Sequence, residues 1–142
     1  MGLRKAIENF DPIQACYVQT AAAGTAPDSF IFVNPTTSGE YFEILSAVGM
    51  WDVVGGAAAA ADVKVVPAAT ALASGTTALA AAFDLTTGAR AATKATLTAT
   101  AANRIVPPGS AVAVDTSGTL TGLAGLVIQV YLRPVRGVKK TF

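Results

Sequence analysis

The sequence contains no histidine. That absence removes the commonest general base, the usual activating partner of a nucleophilic serine or cysteine, and the commonest zinc ligand. A single cysteine, Cys16, cannot close an intrachain disulfide. Without histidine it also makes neither a Cys-His nucleophile pair nor a conventional zinc site. No Walker-type loop and no Gly-x-Gly-x-x-Gly after a strand is present, so nucleotide binding lacks its usual cradle. No loop approaches the Asp-x-Asp-x-Asp spacing of a calcium site. These gaps point away from an enzyme, a cofactor or a small-molecule substrate.

Charge is scarce as well. Only 13% of residues are charged, about half the share of an ordinary soluble domain, while 52% are hydrophobic and the net charge is +1. A membrane segment would account for this, and the charge-free stretch from Val65 to Phe83 has roughly the required length of about 20 residues. It fails on content: Pro67, Ser74, Gly75, Thr76 and Thr77 interrupt it, and most of its apolar character is alanine. Disorder is disfavoured, because disordered chains are poor in apolar residues and rich in net charge. A surface largely covered by partners remains. No apolar signal-peptide core precedes the first acids, and Ala6 breaks the myristoylation pattern, so synthesis in the cytoplasm is expected.

At 142 residues the chain has the length of one domain. Residues 1–28, with Arg4, Lys5, Glu8, Phe10, Asp11 and Tyr17 and then the loose run Thr20 to Pro27, read as an extended N-terminal arm. Residues 29–133 show short apolar runs punctuated by turn residues, which predicts an all-β fold, a single β-sandwich or jelly roll. Phe30 to Val33 is closed by the loop signal Asn34-Pro35-Thr36-Thr37-Ser38-Gly39. Tyr41 to Trp51 places Phe42, Ile44, Val48 and Met50 on one face under a period of two. Asp62 to Val66 is a short strand stopped by Pro67. Lys94 to Thr100 alternates alanine or leucine with threonine and predicts a strand with one buried face.

Ala111 to Asp115 and Gly125 to Arg133 predict two more strands. The last is the clearest: Leu126, Ile128, Val130 and Leu132 alternate with Val127, Gln129, Tyr131 and Arg133. Between Ala68 and Ala82 the alanines favour helix, but Ser74-Gly75-Thr76-Thr77 limits it to a helical turn near Thr77 to Ala82, leading into Phe83 and Leu85 as core anchors. Residues 134–142 form a basic C-terminal tail.

Carboxylates remain as possible chemistry. Glu40, Glu43 and Asp52 lie within one segment, but a strand puts Glu43 opposite Phe42 and Ile44, on a solvated face and not in a catalytic pair. Arg133, Arg136, Lys139 and Lys140 crowd the C-terminus without an acid, whereas residues 21–132 carry four cations against seven acids. A basic tail on an acidic body steers toward phosphates or clamps an acidic protein surface, and a protein partner is favoured over nucleic acid. Trp51 closes an apolar run and reads as core, not as a platform for a sugar.

From Ala78 to Val135 the sequence resembles a known family. Leu79-Ala-Ala-Ala-Phe-Asp-Leu85, the Thr-rich strand Thr93 to Thr100, Val106-Pro-Pro-Gly109, Val112-Ala-Val-Asp-Thr-Ser-Gly118 and the closing strand Leu123 to Arg133 carry the likeness. Together they are similar to the capsid decoration, or cement, proteins of tailed bacteriophages. The resemblance covers under half of the chain and consists of turns and strand patterning. It implies a jelly-roll-like virion protein, a homotrimer, that binds the assembled lattice and bridges major capsid subunits. The alternative it leaves open is a fibre or receptor- or carbohydrate-binding β-module of a virion. Under the first reading the residues expected to touch the capsid are Arg4, Lys5, Phe10 and Tyr17 in the arm and Arg133, Arg136, Lys139 and Lys140 in the tail.

Overall fold

The computed structural model describes residues 12–37 and 39–135. Ten strands follow in chain order: β1 (Ile13–Val18), β2 (Ser29–Val33), β3 (Tyr41–Met50), β4 (Ala60–Val66), β5 (Thr76–Thr77), β6 (Phe83–Asp84), β7 (Thr93–Lys94), β8 (Ile105–Val106), β9 (Ala111–Ser117) and β10 (Val127–Val135). They form two antiparallel sheets. Sheet A has the order β1-β10-β3-β7, with β8 also on β3, and sheet B the order β2-β9-β4-β5, with β6 also on β4. No α-helix occurs among the described residues. The protein is a β-sandwich, as the alternation of apolar and polar residues requires.

β10 shows most directly how sequence becomes layer. Ile128, Val130 and Leu132 are fully buried, while Val127, Gln129 and Tyr131 between them are half-buried on the outer side. Opposite them in sheet B, Val63, Val112 and Val114 are likewise fully buried. Each such side chain contributes about 1.5–3 kcal/mol by leaving water, so the inner faces of β3, β4, β9 and β10 hold the sandwich together. Phe83 and Leu85, expected as anchors, sit in this core at 3% and 0% exposure. Trp51 joins them, with its indole N–H donating to the Thr87 carbonyl at 2.9 Å.

Four expectations need correction. First, residues 13–18 are not arm: β1 pairs with β10 over six residues, from Ile13 opposite Leu132 to Val18 opposite Val127, and buries Ala15 and Tyr17. An arm of residues 1–11 lies outside the described residues. Second, β10 continues to Val135, two residues past the expected boundary.

Third, β3 does not keep one face along its length. The register shifts between Tyr131, which faces Ser46, and Leu132, which faces Ile44, so Leu45 is the extra residue of a β-bulge. Phe42 and Ile44 point inward before it, and Ala47 and Gly49 after it. Val48 and Met50, expected inside, therefore face out. Gly49 fits inward because Phe83 lies there: a Cβ on Gly49 would sit 3.1 Å from the Phe83 ring.

Fourth, neither the strand Lys94 to Thr100 nor the helical turn near Thr77 to Ala82 forms. Of this stretch only Thr93–Lys94 pairs with β3, and the turns of 3₁₀-helix among the described residues are at Leu72–Ser74 and Ala101–Arg104. After Lys94 the chain crosses between sheets. Ala95 N–H donates to Ala47 in sheet A at 2.9 Å, and the next residues bond to the stretch following β5: Ala80 N–H to Thr96 at 2.8 Å, Thr98 N–H to Ala78 at 2.9 Å. These bonds stitch the two sheets along one side of the sandwich. On the other side β1 and β2 are the outermost strands.

Candidate functional site

Three neighbouring strands determine what sheet A shows to solvent. The outward residues of β1 are Gln14, Cys16 and Val18; those of β10 are Tyr131, Gln129 and Val127; those of β3 past the bulge are Ser46, Val48 and Met50. Register places them in three rows across the sheet: Gln14-Tyr131-Ser46, Cys16-Gln129-Val48 and Val18-Val127-Met50. None of the nine is charged. Val18 and Met50 are 54% and 44% exposed. Val48, Met50, Val127 and Gln129 of this field, with Trp51 and the charged Asp52 and Arg90, line an open hollow of about 400 Å³.

Charges surround this field. At one end Arg133 holds Glu43 at 3.1 Å, at the other Arg90 holds Asp52 at 2.8 Å, and Lys94 stands opposite Val48 on the flank. An uncharged centre with tyrosine, methionine and glutamine inside a polar rim is the anatomy of a protein-binding surface. The outer face of sheet B differs: Asp62, Lys64 and Asp115 lie on it, with Lys64 bonded to Asp115 and the Thr77 hydroxyl donating to Asp62 at 2.7 Å.

The uncharged field turns a corner at β1. Cys16, Tyr17 and Val18 of β1 and Ser29, Phe30 and Ile31 of β2 line one groove of about 240 Å³ between the two edge strands. Phe30 and Val33 on β2 are 53% and 62% exposed. Of six large hydrophobics exposed among the described residues, Ile13, Val18, Phe30 and Val33 lie on these two strands. The nearest charge, Asp28, is occupied: its carboxylate accepts from the Thr116 N–H at 2.8 Å and the Thr116 hydroxyl at 3.0 Å.

Of the residues expected to contact a partner, Arg4, Lys5, Phe10, Arg136, Lys139 and Lys140 lie outside the described residues. Tyr17 is 4% exposed, so its role is corrected to that of a core residue; its hydroxyl donates to the Pro27 carbonyl at 2.9 Å. Burial, and secondarily the charge of Asp28, raises its pKa above the ordinary phenol value. Arg133 is exposed but committed to Glu43. Glu43 itself faces outward, as expected, and its partner is a cation on the next strand, not a second carboxylate. The Asp84 carboxylate accepts from the hydroxyl and N–H of Thr86, which holds its pKa below the ordinary range.

The sequence did reveal Val127, Gln129 and Tyr131 as one face of a strand, but not their neighbours on β1 and β3. Among the described residues no group of three or more Cys, Asp or Glu is placed to hold a metal ion. No described helix is long and apolar enough to cross a membrane. Of the two residues on which sugar binding would centre, Trp51 is 2% exposed and Tyr131 is half-buried on the outer face of sheet A.

The class this geometry defines is a two-sheet β-sandwich with one charge-poor outer face. No family model and no curated protein matches the sequence. A chain of the solved structure "Capsid of Ralstonia phage GP4" shares the fold, with a TM-score of 0.51 and 17% identity over 91% of this chain and 86% of that one.

Proposed function

We propose that this chain is a decoration, or cement, protein of a bacteriophage capsid, which binds the assembled lattice and stabilises it by bridging major capsid subunits as a homotrimer. The observation that carries the reading is the fold shared with a chain of a phage capsid over nine-tenths of this sequence. The chemistry supports it. A protein that binds only the assembled shell shifts the equilibrium away from disassembly, by about 2.7 kcal/mol per site at a hundredfold excess over Kd.

Attachment is assigned to the terminal segments. Because Ile13 pairs with Leu132, the chain enters and leaves sheet A at the same end. Residues 136–142 carry Arg136, Lys139 and Lys140 and no acid; residues 1–11 are balanced, with Arg4 and Lys5 against Glu8 and Asp11, and add Phe10; residues 12–135 hold five cations against seven acids. A basic C-terminal segment following an acidic domain suits an acidic patch on the capsid subunit. Several such contacts per oligomer add through effective concentration.

The test is binding to undecorated shells. The full chain should co-sediment with them and raise the temperature at which they rupture. Removing residues 1–11, or substituting Arg136→Glu, Lys139→Glu and Lys140→Glu together, should weaken binding, as should added salt. A folded protein that shows no affinity for any shell at saturating concentration overturns the reading.

A further inference from the structure

We infer that the free edge of β1 is an acceptor for one extended, uncharged segment of another protein, which adds to sheet A as a further strand. The inference stands apart from the capsid reading, because it follows from β1 and its immediate surroundings.

The first observation is where the backbone groups point. The Gln19 N–H donates to the Leu126 carbonyl at 2.8 Å, so these two residues form a hydrogen-bonded pair of the antiparallel ladder. Such pairs alternate along a strand. The alternation gives Ile13, Ala15 and Tyr17 to β10 and turns the N–H and C=O groups of Gln14, Cys16 and Val18 to the free side. Among the described residues no backbone bond joins β1 to β2, and no strand but β10 pairs with it. Donors and acceptors that alternate at strand spacing are matched by the backbone of another extended polypeptide.

The second is that this edge, unlike the others, is undefended. Of the remaining strands at sheet edges, β5, β6, β7 and β8 are two residues long, and β2 is interrupted by a register shift between Phe30 and Phe32. Short and bulged edges are devices against strand addition. β1 instead has six residues in unbroken register, with no charge and no proline. Beside Cys16 and Val18 lies the groove of about 240 Å³ whose far wall is Ser29, Phe30 and Ile31, so an added strand has room and a largely apolar flank.

Charge and ladder geometry select the occupant. No charged residue lines the groove, and the Asp28 carboxylate nearby is taken up by Thr116. A charge laid there would be buried without a partner, which is strongly unfavourable. The chain's own terminal segments are thereby disfavoured, since residues 1–11 carry Arg4, Lys5, Glu8 and Asp11 and residues 136–142 carry Arg136, Lys139 and Lys140. A folded copy is disfavoured for a different reason. Entering edge to edge, it would set its bulged β2 against this one, and both ladders would have to form together. A single uncharged segment needs only the straight ladder of β1.

Amide exchange of the full chain, followed residue by residue by NMR, tests this with an end-blocked heptapeptide of alternating threonine and valine as the probe. The peptide should slow exchange at Gln14, Cys16 and Val18 several-fold and leave Ala15 and Tyr17, already bonded to β10, unchanged. The same peptide N-methylated at every residue should have no effect. Cys16→Pro removes one donor on the free side and no bond to β10, so it should weaken peptide binding about tenfold. Cys16→Ser, and Ser117→Lys on sheet B, should bind as the native chain does. If Cys16→Pro fails to fold, the N-methylated peptide makes the same test from the other partner. Amides left unprotected at millimolar peptide overturn the inference, as does equal protection by the N-methylated peptide. So does protection present before any peptide is added: if it grows with protein concentration a second copy holds the edge, and if it is constant the chain's own terminal residues do. Shell binding plays no part in the measurement, so this inference and the capsid reading fail separately.

Discussion

The Tyr17 hydroxyl donates to the Pro27 carbonyl at 2.9 Å, which ties the edge strand of sheet A to the segment that enters β2 at the edge of sheet B. Tyr17→Phe keeps the buried ring and removes this bond, so unfolding at neutral pH should require about 1 kcal/mol less. The phenol's pKa is raised in the folded state, first by burial and then by Asp28. Its contribution is therefore fully present below the ordinary phenol range. It is lost as pH rises through the raised value, because the unfolded chain ionises first. Denaturant titrations at neutral and strongly alkaline pH should show a steeper alkaline loss in the native sequence than in Tyr17→Phe.

Lys64 shares the outer face of sheet B with two carboxylates, Asp62 and Asp115. It bonds Asp115 at 2.5 Å, and Asp115 stands directly opposite Asp62 in the β4–β9 pair. Both side chains of the ion pair are more than four-fifths buried. Lys64→Met should destabilise by about 1–3 kcal/mol, because it leaves Asp115 facing a like charge. Adding Asp115→Asn should recover part of that loss, and the two-variant cycle measured by chemical denaturation checks it.

Gly118 ends β9 with φ +76, and a Cβ there would lie 2.1 Å from the Ala58 carbonyl oxygen. Neither backbone can yield without moving the turn that leads into β4. Gly118→Ala should cost about 3 kcal/mol or more, well above an ordinary surface substitution. Thermal unfolding, followed by the emission of the buried Trp51, is a direct measurement.

Truncation separates terminal segment from fold. Removing residues 1–11 should leave the melting transition intact, whereas removing residues 1–20 takes away β1, uncovers the edge of β10 and deletes the Tyr17 bond. The longer deletion should lower stability sharply or prevent folding. Circular dichroism of the two truncated proteins distinguishes the outcomes.

The regions legible in the sequence are those where one local pattern decides the structure. In β10 the inward residues Ile128, Val130 and Leu132 are all large and apolar, so alternation alone predicts both strand and face. β1 carries the same alternation, but one of its two buried residues is Ala15 and the other bears a hydroxyl, which hides the period. The bulge at Leu45 is invisible for a different reason: the residue is itself apolar, and only pairing with β10 reveals that the count has slipped. Thr93 to Thr100 misleads because alternation there promises one continuous partner, while the chain bonds first to β3 and then to residues 78–80. The nine-residue field is illegible beyond β10, since register between strands distant in sequence sets it.

The pairing of Ile13 with Leu132 has a practical corollary. At that pair the two strands run about one inter-strand spacing, roughly 4.8 Å, apart. A fluorophore, affinity tag or foreign epitope grafted before Ile13 or after Val135 would start from the same pole of the sandwich, leaving the opposite pole unencumbered.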